Sequence, residues 1–169
     1  MEPEYRALAH LVRQINDLLQ QIPAADYSQK LELYGGSSIG MHCRHIQDFF
    51  YTLSAGVETG CLDYGRRNRE PTLENDPEQL AKTLKDRMIA IKDYPLSQPL
   101  IVLSDLGPEK KKYLSTYGRE LQFVFHHTVH HMAMIKMGLK YLDSSIKLSS
   151  EFGLAPSTIA FQASSQKHE

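Results

Sequence analysis

GRELQFVFHHTVHHMAMIKMGLKYLD, from Gly118 to Asp143, carries both the architecture and the chemistry of this chain. Leu121, Val124, Phe125, Met132, Ile135, Leu139 and Leu142 recur at helical spacing, which predicts one long helix with a single apolar face. It is expected to start near Ser115 or Gly118 and to end at Asp143. Within it His126 pairs with His130 and His127 with His131, each pair four residues apart. Four helical residues turn about 40° and rise about 6 Å, so either pair can aim two imidazoles at one point. On a helical wheel His131 falls within roughly 60° of the apolar centre and His127 within roughly 90°. His126 and His130 fall at about 150° or more, toward solvent or a neighbouring segment. The inner pair, His127 and His131, is therefore the chelating candidate, and a third ligand must come from another element.

Outward from this helix the same spacing recurs. From Glu4 to Ile22 the apolar positions are Leu8, Leu11, Val12, Ile15, Leu18, Leu19 and Ile22, with Pro23 as the stop. Gly35-Gly36-Ser37-Ser38 predicts a turn and a serine N-cap. A helix then runs from about Ile39 to Val57, with Gly56 and Gly60 fitting its end. Asp63 to Asp76 is polar, contains Pro71 and has no helical stripe, so a long functional loop is expected. Asp76-Pro77 reads as an N-cap followed by proline at the first helical position. That helix carries Leu80, Leu84, Met88 and Ile91 and should end near Tyr94-Pro95. Leu100-Ile101-Val102-Leu103 suits a short hairpin or an extended loop. The tail segment SSEFGLAPSTIAFQ is expected to pack across the helices, with the last residues frayed. Four long amphipathic helices without a strong strand signal predict an all-α four-helix bundle, a single domain over residues 1–169.

Composition narrows the function. Hydrophobic residues make up 41% and charged residues 23%, an ordinary globular mixture, and the net charge of −1 offers no general attraction for phosphate backbones or anionic lipid. Nucleic acid and membrane are not expected partners. No stretch reaches the ~18 uninterrupted apolar residues of a membrane span, and MEPEYRALAH lacks the apolar core of a signal peptide. Cys43 and Cys61 form no CxxC pair, which suits a reducing, cytoplasmic setting. Six of the eight histidines fall in two short clusters, MHCRH and HHTVHH. A lone histidine on a half-buried face is usually a hydrogen-bonded structural residue. Two inward histidines four apart, with a second cluster on another helix, point instead to a metal, because burying both without partners costs several kcal/mol. In MHCRH the wheel puts His42 nearer the apolar centre and His45 on one flank, and periodicity leaves both open as the third ligand.

Ser38-Ile39-Gly40-Met41-His42-Cys43-Arg44-His45-Ile46-Gln47-Asp48, followed about eighty residues later by His127-xxx-His131, resembles the DinB-like (DinB/YfiT) family of metal-dependent enzymes. The family pattern has Ser-Ile-Gly near a helix start, a ligand histidine six residues after the isoleucine, and a histidine pair four apart on the last long helix. The resemblance implies His45, His127 and His131 as the metal ligands. The segments from His42 to Asp48, Tyr64 to Glu70, Gly118 to His131 and Phe152 to Thr158 look like one branch of that family. Met132-Ala133-Met134 stands where many members have Arg-Gly-Gln, so no role of those polar residues carries over.

Three neutral imidazoles leave positions on a metal for water or substrate, an open arrangement unlike a closed four-ligand structural site. Zinc is the default, with nickel, iron and manganese compatible. The resemblance implies either thiol transfer, with a low-molecular-weight thiol activated as its thiolate, or metal-assisted hydrolysis. Thiol transfer to an electrophile ranks first, and a non-catalytic metal-binding bundle with a structural or stress-linked role is the alternative. Asp48, three residues after His45, and Glu120, seven before His127, are placed to orient a ligand imidazole or act as a base. Arg44, Arg67, Arg69 and Arg119 are candidates for an anionic pocket. Cys43 reads as packing. Exposed helix faces are compatible with a homodimer.

Overall fold

The computed structural model describes residues 2–66, 68–91, 94–104 and 106–165. Helix α1 spans Pro3–Leu19 and buries Leu8, Leu11, Val12, Ile15 and Leu18. A short α2, Ala24–Ser28, and a 3-10 turn at Glu32–Tyr34 lead to α3, Ile39–Thr59. Ser38 caps α3 by accepting from the Met41 amide at 3.1 Å, and Gly60 ends it with a left-handed φ of 74°. After a 3-10 turn at Pro71–Glu74, Asp76 caps α4, Pro77–Ala90, by accepting from the Gln79 amide at 2.9 Å. Helix α5, Tyr117–Tyr141, is capped by Thr116, and α6, Pro156–Ser165, follows. Helix α5 packs its stripe through Leu121, Val124, Met132, Ile135 and Leu139, all buried.

Helix α3 packs against α5 and α4, and α1 packs against the same two. The wholly helical expectation needs one correction. A three-stranded sheet, in the order β1-β2-β3, joins Cys61–Leu62, Pro99–Leu103 and Lys112–Thr116. β1 pairs parallel to β2, Cys61 opposite Ile101, and β2 pairs antiparallel to β3, Leu100 opposite Ser115. The β-branched pair Ile101-Val102 suits a pleated strand, and the hairpin it begins buries Leu100 on one side. β3 runs directly into α5, so the hairpin fixes where α5 starts. Helix α4 stops at Ala90, short of Tyr94-Pro95.

Gly40, second residue of α3, lies where its neighbours leave no room for a side chain. A Cβ there would sit 2.1 Å from the Glu74 carbonyl oxygen and 2.8 Å from Tyr27 Cε1. The Pro71–Glu74 turn thereby docks on the first turn of α3. Arg44 ties the same contact by bonding both Glu74, at 3.1 Å, and Asp48. Among the described residues no helix is long and apolar enough to cross a membrane.

Candidate metal centre

Helix α3 presents His42 and His45, and α5 presents His127 and His131. One ring nitrogen from each of His45, His127 and His131 comes within 4.8 Å of the other two. Ring centroids lie 5.0 Å apart for His45–His127, 4.5 Å for His45–His131 and 4.6 Å for His127–His131. Nitrogens bound tetrahedrally to one zinc at its usual bond length would be about 3.3 Å apart, so small side-chain rotations close the set. His45 joins the converging group; His42 sits beside His131 instead, with 3.0 Å between their Nδ1 atoms. His126 and His130 are exposed, as the wheel places them.

His131 is 8% exposed, and His45 and His127 are half-buried. Burial, reinforced by the neighbouring His45, His127, His42 and His130, pushes the His131 pKa down to about 2. Burial also lowers that of His42. Near neutral pH His131 therefore keeps a lone pair to donate. The donor set, three convergent nitrogens in a partly dry setting, fits a borderline divalent ion.

Aromatic rings form one wall. Phe49 stacks on His127 at 3.7 Å and 22°, and Tyr64 stacks with Phe49 at 5.1 Å and 16°. Phe123 fills in at 5.8 Å from Phe49 and 5.0 Å from Tyr64. Beyond this column lies Glu120, fully buried at 0% exposure. Its Oε2 accepts from the Tyr64 hydroxyl at 3.0 Å, and its Oε1 accepts from Ser115 at 2.5 Å and Arg119 at 3.0 Å. Burial, then the Glu120 carboxylate, drives the Tyr64 pKa upward. A cavity of about 660 Å³ opens here, with Phe49, Tyr64 and Phe123 on one side and Leu103, Leu106 and Leu114 on the other.

The two carboxylates, Glu120 and Asp48, are both engaged by neighbouring side chains. Glu120 shares a face of α5 with His127, seven residues and about 10 Å of helix axis apart, and the Phe123 ring lies 6.0 Å from that of His127. Its hydrogen bonds go to Tyr64, Ser115 and Arg119 rather than to an imidazole. Asp48, also 0% exposed, accepts at Oδ2 from Arg44 in the ion-pair chain that continues to Glu74. Arg44 is thus engaged within the fold. Arg119 lies at the other end of the α3–α5 contact, where Phe123 meets Phe49. Arg67 lies outside the described residues, and Arg69 is exposed. The arginines form no common pocket among the described residues. Tyr64 falls in the loop expected to be functional, whereas Phe49, on an ordinary apolar stripe, and Ser115, at the end of a segment that suits either a hairpin or a loop, carried no individual signal.

Comparison with known proteins agrees with this frame. A DinB-like protein of Bacillus subtilis, YjoA, superposes with a TM-score of 0.63 over 87% of this chain and 98% of its own, at 19% identity, which shows a shared fold. A protein of Rhizopus delemar described as FK506-binding protein 5 is 31% identical over 108 residues, 58% of this chain. The chain spans only about a quarter of that relative, 26% of its length. The pattern of the DinB family matches residues 4–142, and the chain belongs to that family.

Proposed function

We propose that the protein is a metal-dependent enzyme that joins a small thiol to an apolar electrophile, within a DinB-type helical bundle in the cytoplasm. The observation that carries this reading is the convergence of His45, His127 and His131 from two helices, with no fourth protein ligand among the described residues grouped with them. A divalent ion held there, zinc by default and nickel, iron or manganese by the same donor chemistry, would supply Lewis acidity that ionises a thiol or a water near neutral pH.

The chain's own residues divide the remaining work. Phe49 and Phe123 line both the surroundings of His127 and the cavity, so they shield the histidines from water on that side. Leu103, Leu106 and Leu114 give the cavity an apolar rim suited to a carbon electrophile, with Leu106 and Leu114 exposed. The Arg119 guanidinium lies 5.2 Å above the Phe123 ring at the cavity's edge, where it can meet a substrate anion. In the reaction the thiol proton leaves to solvent, the sulfur forms the new bond to carbon, and the electrophile's leaving group takes the displaced electron pair. Cys43 and Cys61 are both free thiols, consistent with a reducing compartment.

A rival reading is a non-catalytic metal clip, favoured by the ligands' placement on two packed helices, which a metal would pin together. A panel of thiols and electrophiles, with and without chelator, separates the two. Chelator-sensitive turnover supports the enzyme. A fall in melting temperature on chelation, without turnover of any pair, supports the clip.

A further inference from the structure

Nδ1 of His42 lies 3.0 Å from Nδ1 of His131. An imidazole that ligates through one nitrogen keeps its lone pair there and carries its proton on the other. Because Nδ1 of His131 is engaged by His42, the nitrogen left for the point shared with His45 and His127 is Nε2. Resting on the metal-centre reading above, we propose that His42 is the positioning residue of the centre. Its Nδ1 accepts the Nδ1 proton of His131, which fixes the tautomer and rotation of that ring and aims Nε2 at the metal.

The surroundings of His42 suit this task. Tyr34 meets its ring edge-on at 4.6 Å and 70°, and the Tyr34 hydroxyl donates to the Met134 carbonyl of α5. A brace therefore runs from α5 through Tyr34 and His42 back to His131 on α5. His42 also precedes His45 by one helical turn, so one turn of α3 carries a ligand and the group that orients another. Ligating histidines usually give their second N–H to a carboxylate or carbonyl. A neutral imidazole in that place orients the ligand without making it more basic, which leaves a bound metal more electrophilic. The arrangement also puts the His42 proton on Nε2, a buried atom with no hydrogen-bond partner among the described residues.

The test uses the full chain with His42→Asn, which keeps an acceptor near the Nδ1 position, and His42→Leu, which removes it. Zinc affinity is read by competition with a chromophoric chelator, and coordination by the cobalt(II) absorption spectrum. His42→Leu should bind zinc roughly 10- to 100-fold more weakly. His42→Asn should stay within about threefold of the unmodified protein and keep its cobalt spectrum. Long-range proton–nitrogen NMR of the zinc-loaded protein should show His131 protonated at Nδ1, a readout that stands even if His42→Leu fails to fold. Unchanged affinity in His42→Leu, or His131 protonated at Nε2, overturns the proposal. So does a His42→Asn variant as weak as His42→Leu with an altered cobalt spectrum, because His42 would then be a ligand itself. An unmodified protein that takes up no zinc brings down the metal centre and this inference together, an outcome distinct from the others.

Discussion

Replacing Gly40 by alanine sets two effects of opposite sign against each other. In a helix alanine is favoured over glycine by up to about 1 kcal/mol, less near the first turn, so propensity alone predicts a stabler protein. The added Cβ, however, would lie 2.1 Å from the Glu74 carbonyl oxygen, where ordinary contact is about 3.4 Å. The Glu74 backbone would have to retreat by more than an ångström. It is not free to do so, since Tyr27, at 0% exposure, donates to the Leu73 carbonyl at 2.8 Å, and Arg44 holds the Glu74 carboxylate at 3.1 Å. Overpacking of this kind costs about 1–3 kcal/mol, occasionally more, and strain on the buried Arg44 pair adds to it. The net expectation is destabilisation by about 2–4 kcal/mol, a fall in melting temperature of roughly 5–15 °C for a chain of this size. Gly138→Ala is the control. Its Cβ would meet Tyr34, at 2.0 Å from the hydroxyl and 2.7 Å from Cζ, so the ring must shift and give up its bond to the Met134 carbonyl, a loss set against the helix propensity gained. Its net change should stay within about 1 kcal/mol. Urea unfolding of both variants decides the matter. Gly40→Ala as stable as the unmodified protein would mean that the turn does not dock on α3 as described.

Four further outcomes are expected. His127→Ala or His131→Ala should abolish stoichiometric metal binding by elemental analysis while His126→Ala leaves it intact; full occupancy in the double variant His127→Ala, His131→Ala would sink the centre. Without metal, stability should fall with acid, because His131 in the folded state lies below the ordinary histidine value and the unfolded chain takes up the proton first. That contribution is complete above about pH 6.5 and is lost progressively below it, by roughly 1 kcal/mol per pH unit from His131, so equal urea midpoints at pH 7.5 and 5.5 would contradict it. Tyr64→Phe removes a donor from buried Glu120 and should cost about 1.5–3 kcal/mol of stability yet leave zinc affinity unchanged; a tenfold loss of affinity would show that Glu120 and the histidines are coupled. Cys61, exposed, should react at once with a thiol reagent, whereas Cys43, whose thiol burial pushes up to about 12, should react only on unfolding.

Helices and the inner histidine pair were legible because both depend on a local period. Leu121 to Leu139 repeat at helical spacing, and His127 and His131 inherit their direction from that stripe. Choosing between His42 and His45 was different, because both lie on one turn of α3 and the wheel gives an angle without saying where α5 crosses. Family register pointed to His45, and the crossing of α3 over α5 brings the same residue into the group. A hairpin around Leu100–Leu103 was one of two open readings, but the parallel strand that completes the sheet escaped for a related reason. β1 has two residues and gains its partner from a strand about forty positions later, a non-local pairing that no periodicity announces. For Glu120 a shared helical face fixes direction, not distance: two turns separate it from His127, and its carboxylate bonds Tyr64, Ser115 and Arg119.

The Ser-Ile-Gly segment makes the same point about function. None of its three residues belongs to the converging group, yet each fixes where α3 lies. Ser38 sets the first residue of the helix, Ile39 is fully buried, and Gly40 admits the Glu74 backbone at a distance no side chain would allow. One residue of register in a helix is 100° of rotation and 1.5 Å of rise. A slip of one position would present Arg44 or Ile46 where His45 now faces His127 and His131. A centre assembled from two helices tolerates far less than that, since its nitrogens must close to about 3.3 Å. The motif is therefore best understood as a registration device, and variants within it should lose metal affinity in proportion to how far they displace α3, even though none of them removes a ligand.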